Sequence, residues 1–398
     1  NEPRLPHRRM LLSICAVIFL DFLAFGILIP LITPLVRQFS SQAVVVGLTF
    51  AAFAVGQFFV SPLLGALSDR YGRRSILLIS SLGGMLASYL LGFANSIGLI
   101  LVSRCFDGLT GGNLLAGQAY MADITPPEHR AKVFGSIGAA ISLGFIFGPA
   151  LGGGLSLIDL RLPAFVAGTL YLITAILIWR GLPESLPPSR RRKEPVRWTE
   201  LNPFTKIFQA LQRRSLRFLL LVAFLLNFAE NGVRSTLQVL TAERFGFAIE
   251  QNAILFSYLG LMGVLIQGFA IRPLTKRIPE RTLTIAGLGL MVVGYSSIAL
   301  APSVGFLYGS LTLSAVGFGL TAPTLLSSVS KGADAQEQGF IIGANQSIDS
   351  LTLILSPALA GLLFDRLGTG APYWTGAVLL SVAMLTLLNQ RRFVKFDR

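Results

Sequence analysis

Gly65-Ala66-Leu67-Ser68-Asp69-Arg70-Tyr71-Gly72-Arg73-Arg74 separates two runs, 44–66 and 75–95, that contain no charged residue. Each run can cross a hydrocarbon core of about 30 Å, which takes roughly 20 residues. A short loop dense in Asp and Arg between two such runs reads as a turn where the chain leaves a membrane and re-enters it. Its glycines let the backbone bend sharply. Asp69 is placed to meet a helix N-terminus or a nearby arginine, since anions are favoured at such positive ends.

The rest of the chain repeats that pattern. Of 398 residues, 53% are hydrophobic and 13% charged, against about 25% charged in a typical soluble domain. Mean hydropathy is +0.68. A water-soluble enzyme, a nucleic-acid binder and a disordered chain are excluded; a polytopic membrane protein is implied. Twelve runs long enough to span can be marked, at about 10–36, 44–66, 75–95, 97–122, 131–156, 163–181, 216–242, 252–272, 282–301, 304–330, 338–365 and 371–390. The apolar run after Arg8 and Arg9 extends for about 25 residues, too long for a signal-peptide core, and reads as a retained first helix. Cys15 and Cys105 fall at different depths in their spans, so no disulfide is expected.

The formal net charge of +14 is a topology signal. Lys and Arg crowd both termini and the loops after even-numbered spans. Arg37, Arg161, Arg244 and Arg366 stand on the opposite side, and Arg104 and Arg234 lie inside the membrane. This bias places both termini in the cytoplasm. It explains the basic excess without nucleic acid as a partner. The longest connection carries Pro183, Pro187, Pro188 and the run Arg190-Arg191-Arg192-Lys193. It divides the chain into an N-terminal six-helix bundle (1–182), a cytoplasmic linker (183–215) and a C-terminal six-helix bundle (216–398). Within the linker, Leu201, Phe204, Ile207, Phe208 and Leu211 recur at helical spacing, as in a short helix lying on the inner membrane surface.

The two halves overlay at an offset of about 207 residues, the mark of a duplication. Asp21-Phe22 and Gly26 fall on Asn227-Phe228 and Gly232. Ser68, Arg70 and Arg74 fall on Thr275, Arg277 and Arg281. Gly111, Gly135, Pro149 and Gly153 fall on Gly319, Gly343, Pro357 and Gly361. A parallel duplication of six spans implies pseudo-symmetric bundles with a substrate site between them near the midplane, which suits a transporter working by alternating access.

Further motifs lie on the fourth and fifth spans. The fourth carries Arg104-Cys105-Phe106-Asp107-Gly108, then Gly111 and Gly112. The fifth carries Gly144, then Gly148-Pro149-Ala150-Leu151-Gly152-Gly153. Small residues permit close helix approach, and a proline permits a kink. Together with the 65–74 loop, these stretches resemble the major facilitator superfamily, specifically its twelve-span drug:proton antiporter branch. Leu20-Asp21 with Pro30 and Pro34, Ala122-Asp123-Ile124-Thr125 and Leu201-Asn202-Pro203 are similar to its tetracycline-efflux group. The resemblance covers nearly the whole chain and implies an all-α fold of 12 transmembrane helices in two pseudo-symmetric six-helix bundles.

It further implies that Gly65, Asp69, Arg70, Gly72 and Arg73 form a cytoplasmic gate. Arg104 would be a buried arginine associated with proton coupling, and Gly144, Gly148, Pro149 and Gly152 would shape the fifth-helix contact. Tetracycline exporters are expected to carry acidic groups on the third and ninth helices, and often a histidine on the eighth. The spans at 75–95, 252–272 and 282–301 have no Asp, Glu or His in their interiors, so the chain departs from that pattern.

The ionisable residues within spans are Asp21, Arg104, Asp107, Glu230, Arg234 and Asp349. A charge at the bilayer centre costs about 2.5–3.5 kcal/mol, so each is paired or functional. Asp21, with no partner within a helical turn, reads as the main proton carrier, with Asp107 as its rival. Arg104 with Asp107, three apart, and Glu230 with Arg234, four apart, can instead neutralise each other. A mostly apolar cavity with polar anchors would draw on Phe25, Gln57, Asn113, Gln118, Asn227, Glu230, Asn231, Arg234, Asn345 and Asp349. No phosphate-cradling loop is present, which argues against an ATP-driven pump. No metal-ligand cluster or Ser/His pairing lies in the spans, so an enzyme is not expected. The sequence therefore points to a monomeric, cofactor-free, multi-pass protein of an inner membrane. It would exchange protons for small amphipathic compounds. The alternative is a symporter or uniporter of a metabolite or lysolipid on the same scaffold.

Overall fold

The computed structural model describes residues 5–126, 129–192, 202, 204, 208, 211–212, 217–331 and 338–389. Among these the chain is helical, with no strand. In order the helices are α1 (Leu5–Arg37), α2 (Ala43–Tyr71), α3 (Arg73–Gly92), α4 (Ile97–Thr110), α5 (Asn113–Ile124), α6 (Arg130–Ser156) and α7 (Leu162–Gly181). Then come α8 (Arg217–Phe245), α9 (Ile249–Val264), α10 (Ile271–Thr275), α11 (Glu280–Leu300), α12 (Val304–Lys331), α13 (Gln338–Leu367) and α14 (Ala371–Asn389). Leu201 and Ile207 of the expected linker helix lie outside the described residues. Phe204, Phe208 and Leu211 are helical and exposed.

Eleven helices among the described residues are long and apolar enough to cross a membrane. The remaining expected span, 97–122, is two helices rather than one. Gly111 (φ −73°, ψ 58°) and Gly112 turn the chain between α4 and α5. The turn is held from outside: the Ser80 hydroxyl of α3 accepts the Gly112 N–H at 3.3 Å. A β-carbon at Gly112 would sit 2.8 Å from the Leu64 and Ser80 side chains, so any larger residue would have to push them aside. The eighth span is also irregular, with a π-helical turn over Leu265–Ala270 between α9 and α10.

The chain divides into two compact units. The first comprises Asn1–Phe39, Ala52–Leu201 and Ala248–Tyr258. Its packing centres on α1 against α6 and α3 against α7. The α1–α6 crossing is a close backbone approach: a β-carbon on Gly148 would lie 2.7 Å from Gly26 Cα, and one on Gly26 would lie 2.9 Å from Gly144 O. The apolar core there includes Ile14, Val17, Ile18, Tyr120 and Ile178.

The second unit comprises Ser40–Ala51, Asn202–Phe247 and Leu259–Arg398. Its packing centres on α11 against α12 and α8 against α13. At the α8–α13 crossing, a β-carbon on Gly232 would lie 2.7 Å from Ser356 Oγ. Gly26 and Gly232 occupy matching places in the sequence overlay, and each serves a close helix crossing of its own unit. The start of α2 packs in this unit against the end of α13, where a β-carbon on Gly361 would lie 2.6 Å from Val44 Cα.

Candidate functional site

In the first unit the break after α4 decides the geometry. By turning the chain at Gly111-Gly112, it brings Asn113, the first residue of α5, against α1. There the Asn113 amide donates to Asp21 Oδ1 and also reaches Ser81 Oγ at 3.4 Å. Arg104 and Asp107, one turn apart on α4, form an ion pair at 3.2 Å with side chains 2% and 7% exposed. A guanidinium has five N–H donors. Nε and Nη2 of Arg104 are buried without a hydrogen-bond partner among the described residues. Tyr171 of α7, which sequence reasoning missed, is buried within electrostatic reach of Asp21, Asp107 and Arg104. A tyrosine in an apolar run gives no sign of polar work. Phe25 meets Phe53 and Phe145 at ring-centroid distances of 5.8 and 6.2 Å, an aromatic cluster beside the polar one. Gln57 is half-buried near the α4–α5 turn, 3.6 Å from where a Gly111 β-carbon would stand. Gln118 is half-buried on α5.

The 65–74 stretch is not the loop its charges suggested: α2 runs on to Tyr71 and α3 begins at Arg73, leaving Gly72 alone as the turn, and the stretch forms a second cluster in the same unit. Arg73 pairs with Asp69 at 2.5 Å, with Asp123 at 3.2 Å, and donates to Ser68 Oγ at 3.2 Å. Ser185 donates to the same Asp123 oxygen at 3.0 Å. Gly72 turns the chain at φ +104°, a region side-chain-bearing residues rarely adopt. The freed N-terminus of α3 is capped by Glu184, whose carboxylate accepts from Arg73 N at 2.8 Å and Arg74 N at 3.3 Å. Asp69 O accepts from Arg192 N at 3.0 Å, tying the linker to the loop. Arg70 instead stacks over Tyr71, 5.5 Å from its centroid. Gly65 has open space where a β-carbon would go. Asp123 and Glu184 are the loop's partners that its own sequence could not name.

Gly144, Gly148 and Gly152 all face α1, at Phe22, Gly26 and Ile27, and Pro149 lies against Gly26. The motif's first structural effect is that crossing.

In the second unit, the residues of mid-span α8 that are not fully buried, Phe224, Asn227, Phe228, Glu230, Asn231 and Arg234, fall on one stripe, with exposed Leu221 a turn before it. Lipid tails offer no partners for such side chains, so a stripe this polar at mid-span faces water or protein. Glu230 takes a 2.5 Å hydrogen bond from the Tyr295 hydroxyl of α11 and pairs with Arg234 at 3.4 Å. Asn231 donates to Thr352 Oγ1 at 3.1 Å, and Thr352 Oγ1 in turn donates to the carbonyl of Asp349 at 2.7 Å, both on α13. Asp349 also lies within electrostatic reach of Arg234. Asn345, one turn earlier on α13, is half-buried.

A cavity of about 540 Å³ lies in the first unit, lined by Leu11, Cys15, Phe19, Met121, Val133 and Leu143 among others. It is apolar, and none of the candidate polar residues lines it. Cys15 and Cys105 are free thiols. Among the described residues no group of His, Cys, Asp or Glu is arranged to hold a metal.

Known proteins bear on this geometry. A sequence model described as Major Facilitator Superfamily matches residues 14–357. The chain is 29% identical over 381 residues to the class C tetracycline resistance protein of Escherichia coli, covering 95% of this chain and 94% of that one. It is 29% identical to Multidrug resistance protein 2 of Bacillus subtilis, covering 87% of each. Among solved structures, the human organic anion transporter MFSD10 superposes with a TM-score of 0.75 at 28% identity, covering 96% of this chain and 100% of that one.

Proposed function

The chain belongs to the major facilitator superfamily, and from that membership we propose that it is a proton-coupled antiporter exporting small amphipathic compounds. As a member it is a multi-pass membrane transporter of small molecules and not an enzyme. The finer reading is supported by relatives named for tetracycline and multidrug resistance and, above all, by the polar cluster of the first unit. Asp21 there has no arginine of its own; its partner is the neutral amide of Asn113. A carboxylate held by an amide can gain and lose a proton without breaking an ion pair. Asp107, locked to Arg104 at 3.2 Å, cannot. Asp21 is therefore the proton carrier, Asn113 positions it, and Arg104 with Asp107 sets the surrounding field.

In this reading the two six-helix bundles, joined by the 183–215 linker, move against each other in alternating access. Asp69, Arg70 and Arg73, with Gly65 on the last turns of α2 and Gly72 at the turn, work the cytoplasmic gate, while Gly144, Gly148, Pro149 and Gly152 supply a close-packed crossing. Phe25, Gln57, Gln118, Asn227 and Asn345 contribute to the substrate cavity. The transporter works as a monomer in an inner membrane with both termini in the cytoplasm.

The test uses the full chain in proteoliposomes loaded with a pH-sensitive dye. An imposed pH gradient should drive at least one of a panel of amphipathic drugs uphill, with protons moving the other way. Asp21→Asn should abolish uphill movement while the protein still inserts and purifies. Uphill transport by Asp21→Asn removes the Asp21 assignment, and substrate flux indifferent to the gradient in the wild type removes antiport.

A further inference from the structure

Arg234 differs from every other charge inside the spans. It sits in mid-helix on α8, yet its side chain is 57% exposed, while its neighbour Glu230 is 18% exposed. Its orientation is nonetheless fixed. Glu230 is held on one oxygen by Tyr295, itself 1% exposed, and presents the other to Arg234 Nη2. That single contact, at 3.4 Å, leaves most of the five guanidinium donors directed away from Glu230. Asn231, one turn before Arg234, donates to Thr352 Oγ1 of α13 at 3.1 Å, and Thr352 Oγ1 donates to the Asp349 carbonyl at 2.7 Å, which brings Asp349 to the same crossing. The second unit therefore presents a half-free guanidinium and a carboxylate without an ion-pair partner of its own, within electrostatic reach of each other. Nearly two and three turns earlier on α8, Phe228 and Phe224 pack at 5.6 Å and supply an aromatic patch.

Ligand classes fare differently against this surface. A purely cationic ligand placed on Asp349 would be pressed against Arg234. A purely anionic one placed on Arg234 would face Asp349 and Glu230. Like-charge juxtaposition of this kind is how sites reject wrong partners. A ligand carrying both charges close together satisfies both groups, and charge-assisted bonds to a guanidinium favour a planar acid such as a carboxylate.

We propose that Arg234 and Asp349 form paired subsites for a zwitterionic substrate, the guanidinium receiving its acidic group and the carboxylate its ammonium, with Phe224 and Phe228 against its apolar body. Arg234 is thereby the specificity-determining residue for the acid. This deepens the export reading above and rests on it, since it takes the α8 stripe as a wall of the substrate cavity.

Three fluorescent probes with one aromatic body test the assignment: Nε-dansyl-lysine, a zwitterion; its methyl ester, a cation; and its Nα-acetyl derivative, an anion. Binding to the purified full-length protein is read from dansyl fluorescence. The wild type should bind the zwitterion about tenfold or more tighter than either relative, the margin of one charged hydrogen bond. Arg234→Gln should erase the preference for zwitterion over ester, weakening the zwitterion and, with the like charge gone, strengthening the ester. Arg234→Lys should restore part of it. Asp349→Asn should erase the preference for zwitterion over the acetyl probe. Equal loss of all probes in Arg234→Gln would mark a merely structural role and overturn the proposal. Equal wild-type affinity for ester and zwitterion, or no binding of any probe, would overturn it too. Proton-coupled drug flux persisting in proteoliposomes alongside such a result leaves the antiport reading standing. Loss of that flux alone counts against antiport and not against these subsites.

Discussion

Removing one carboxylate at the end of α13 should loosen the beginning of α2, some 320 residues away in sequence. The first turn of α2 has no acidic residue of its own, and the N–H of Gln42 is directed to Ser40 Oγ at 3.2 Å. The first free N–H groups of the helix go instead to Asp365. Its Oδ1 accepts from Ala43 N and its Oδ2 from Val44 N, both at 2.9 Å. This is an N-terminal cap supplied by another helix. Loss of a capping side chain costs about 0.5–2 kcal/mol. Charge raises the value and solvent exposure lowers it, so about 1 kcal/mol is reasonable here. That corresponds to roughly a fivefold rise in local opening. In Asp365→Ala, hydrogen–deuterium exchange of a peptide covering 40–50 should therefore quicken about fivefold. Asp365→Asn, which keeps one acceptor oxygen, should fall between, and peptides from α3 should not change. Unaltered exchange over 40–50 would refute the cap. Equal quickening over α3 would show that the substitution damages the fold as a whole.

Three further outcomes follow from packing and charge. Gly148→Val should lower the melting temperature in detergent by several degrees, since overpacking costs about 1–3 kcal/mol and the β-carbon would meet Gly26 Cα at 2.7 Å. Gly154→Ala, with open space around it, is the matched control and should melt like the wild type. Gly72→Ala should destabilise by about 1–2 kcal/mol through its φ of +104° alone, again read as a melting shift. Asp69→Asn, which removes one of the two carboxylates on Arg73, should slow transport turnover more than it weakens substrate binding; unchanged turnover in proteoliposomes would contradict a gate.

Much of the fold was readable because the bilayer imposes a coarse rule: long uncharged runs become helices, and basic loops mark one side. What escaped depends on contacts distant in sequence. Gly111-Gly112 breaks the fourth span, whereas Gly83-Gly84 leaves α3 continuous. The dipeptides look alike in sequence. They differ in that Ser80 waits on α3 to accept the Gly112 N–H. Glu184 was invisible for the same reason, since the α3 N-terminus it caps lies 110 positions earlier. The mid-span charges were conspicuous because each interrupts an apolar run. Tyr295, which bonds Glu230, was not, because a tyrosine is at home in such runs until its hydroxyl is located.

Burial separates two kinds of work that the sequence lumped together as membrane-embedded charge. Arg104 and Asp107 are an arginine and a carboxylate one turn apart, as are Arg234 and Glu230. The first pair is 2% and 7% exposed and the arginine of the second is 57% exposed. A charge pair sealed from water cannot exchange its partner for a ligand without stranding a buried ion, a loss of about 3–5 kcal/mol. An exposed guanidinium loses only water when an acid arrives. In the proposed mechanism the α4 pair is therefore confined to shaping the field around the proton-carrying carboxylate proposed at Asp21, and the α8 arginine is the one left to recognise a ligand. Exchanging the two environments separates these parts. Arg104→Gln, which leaves Asp107 buried and unpaired, should lower thermal stability by several degrees. Arg234→Gln should leave stability within about a degree, since exposed pairs contribute about 0–1 kcal/mol. Equal melting shifts for the two substitutions would show that exposure does not divide the roles.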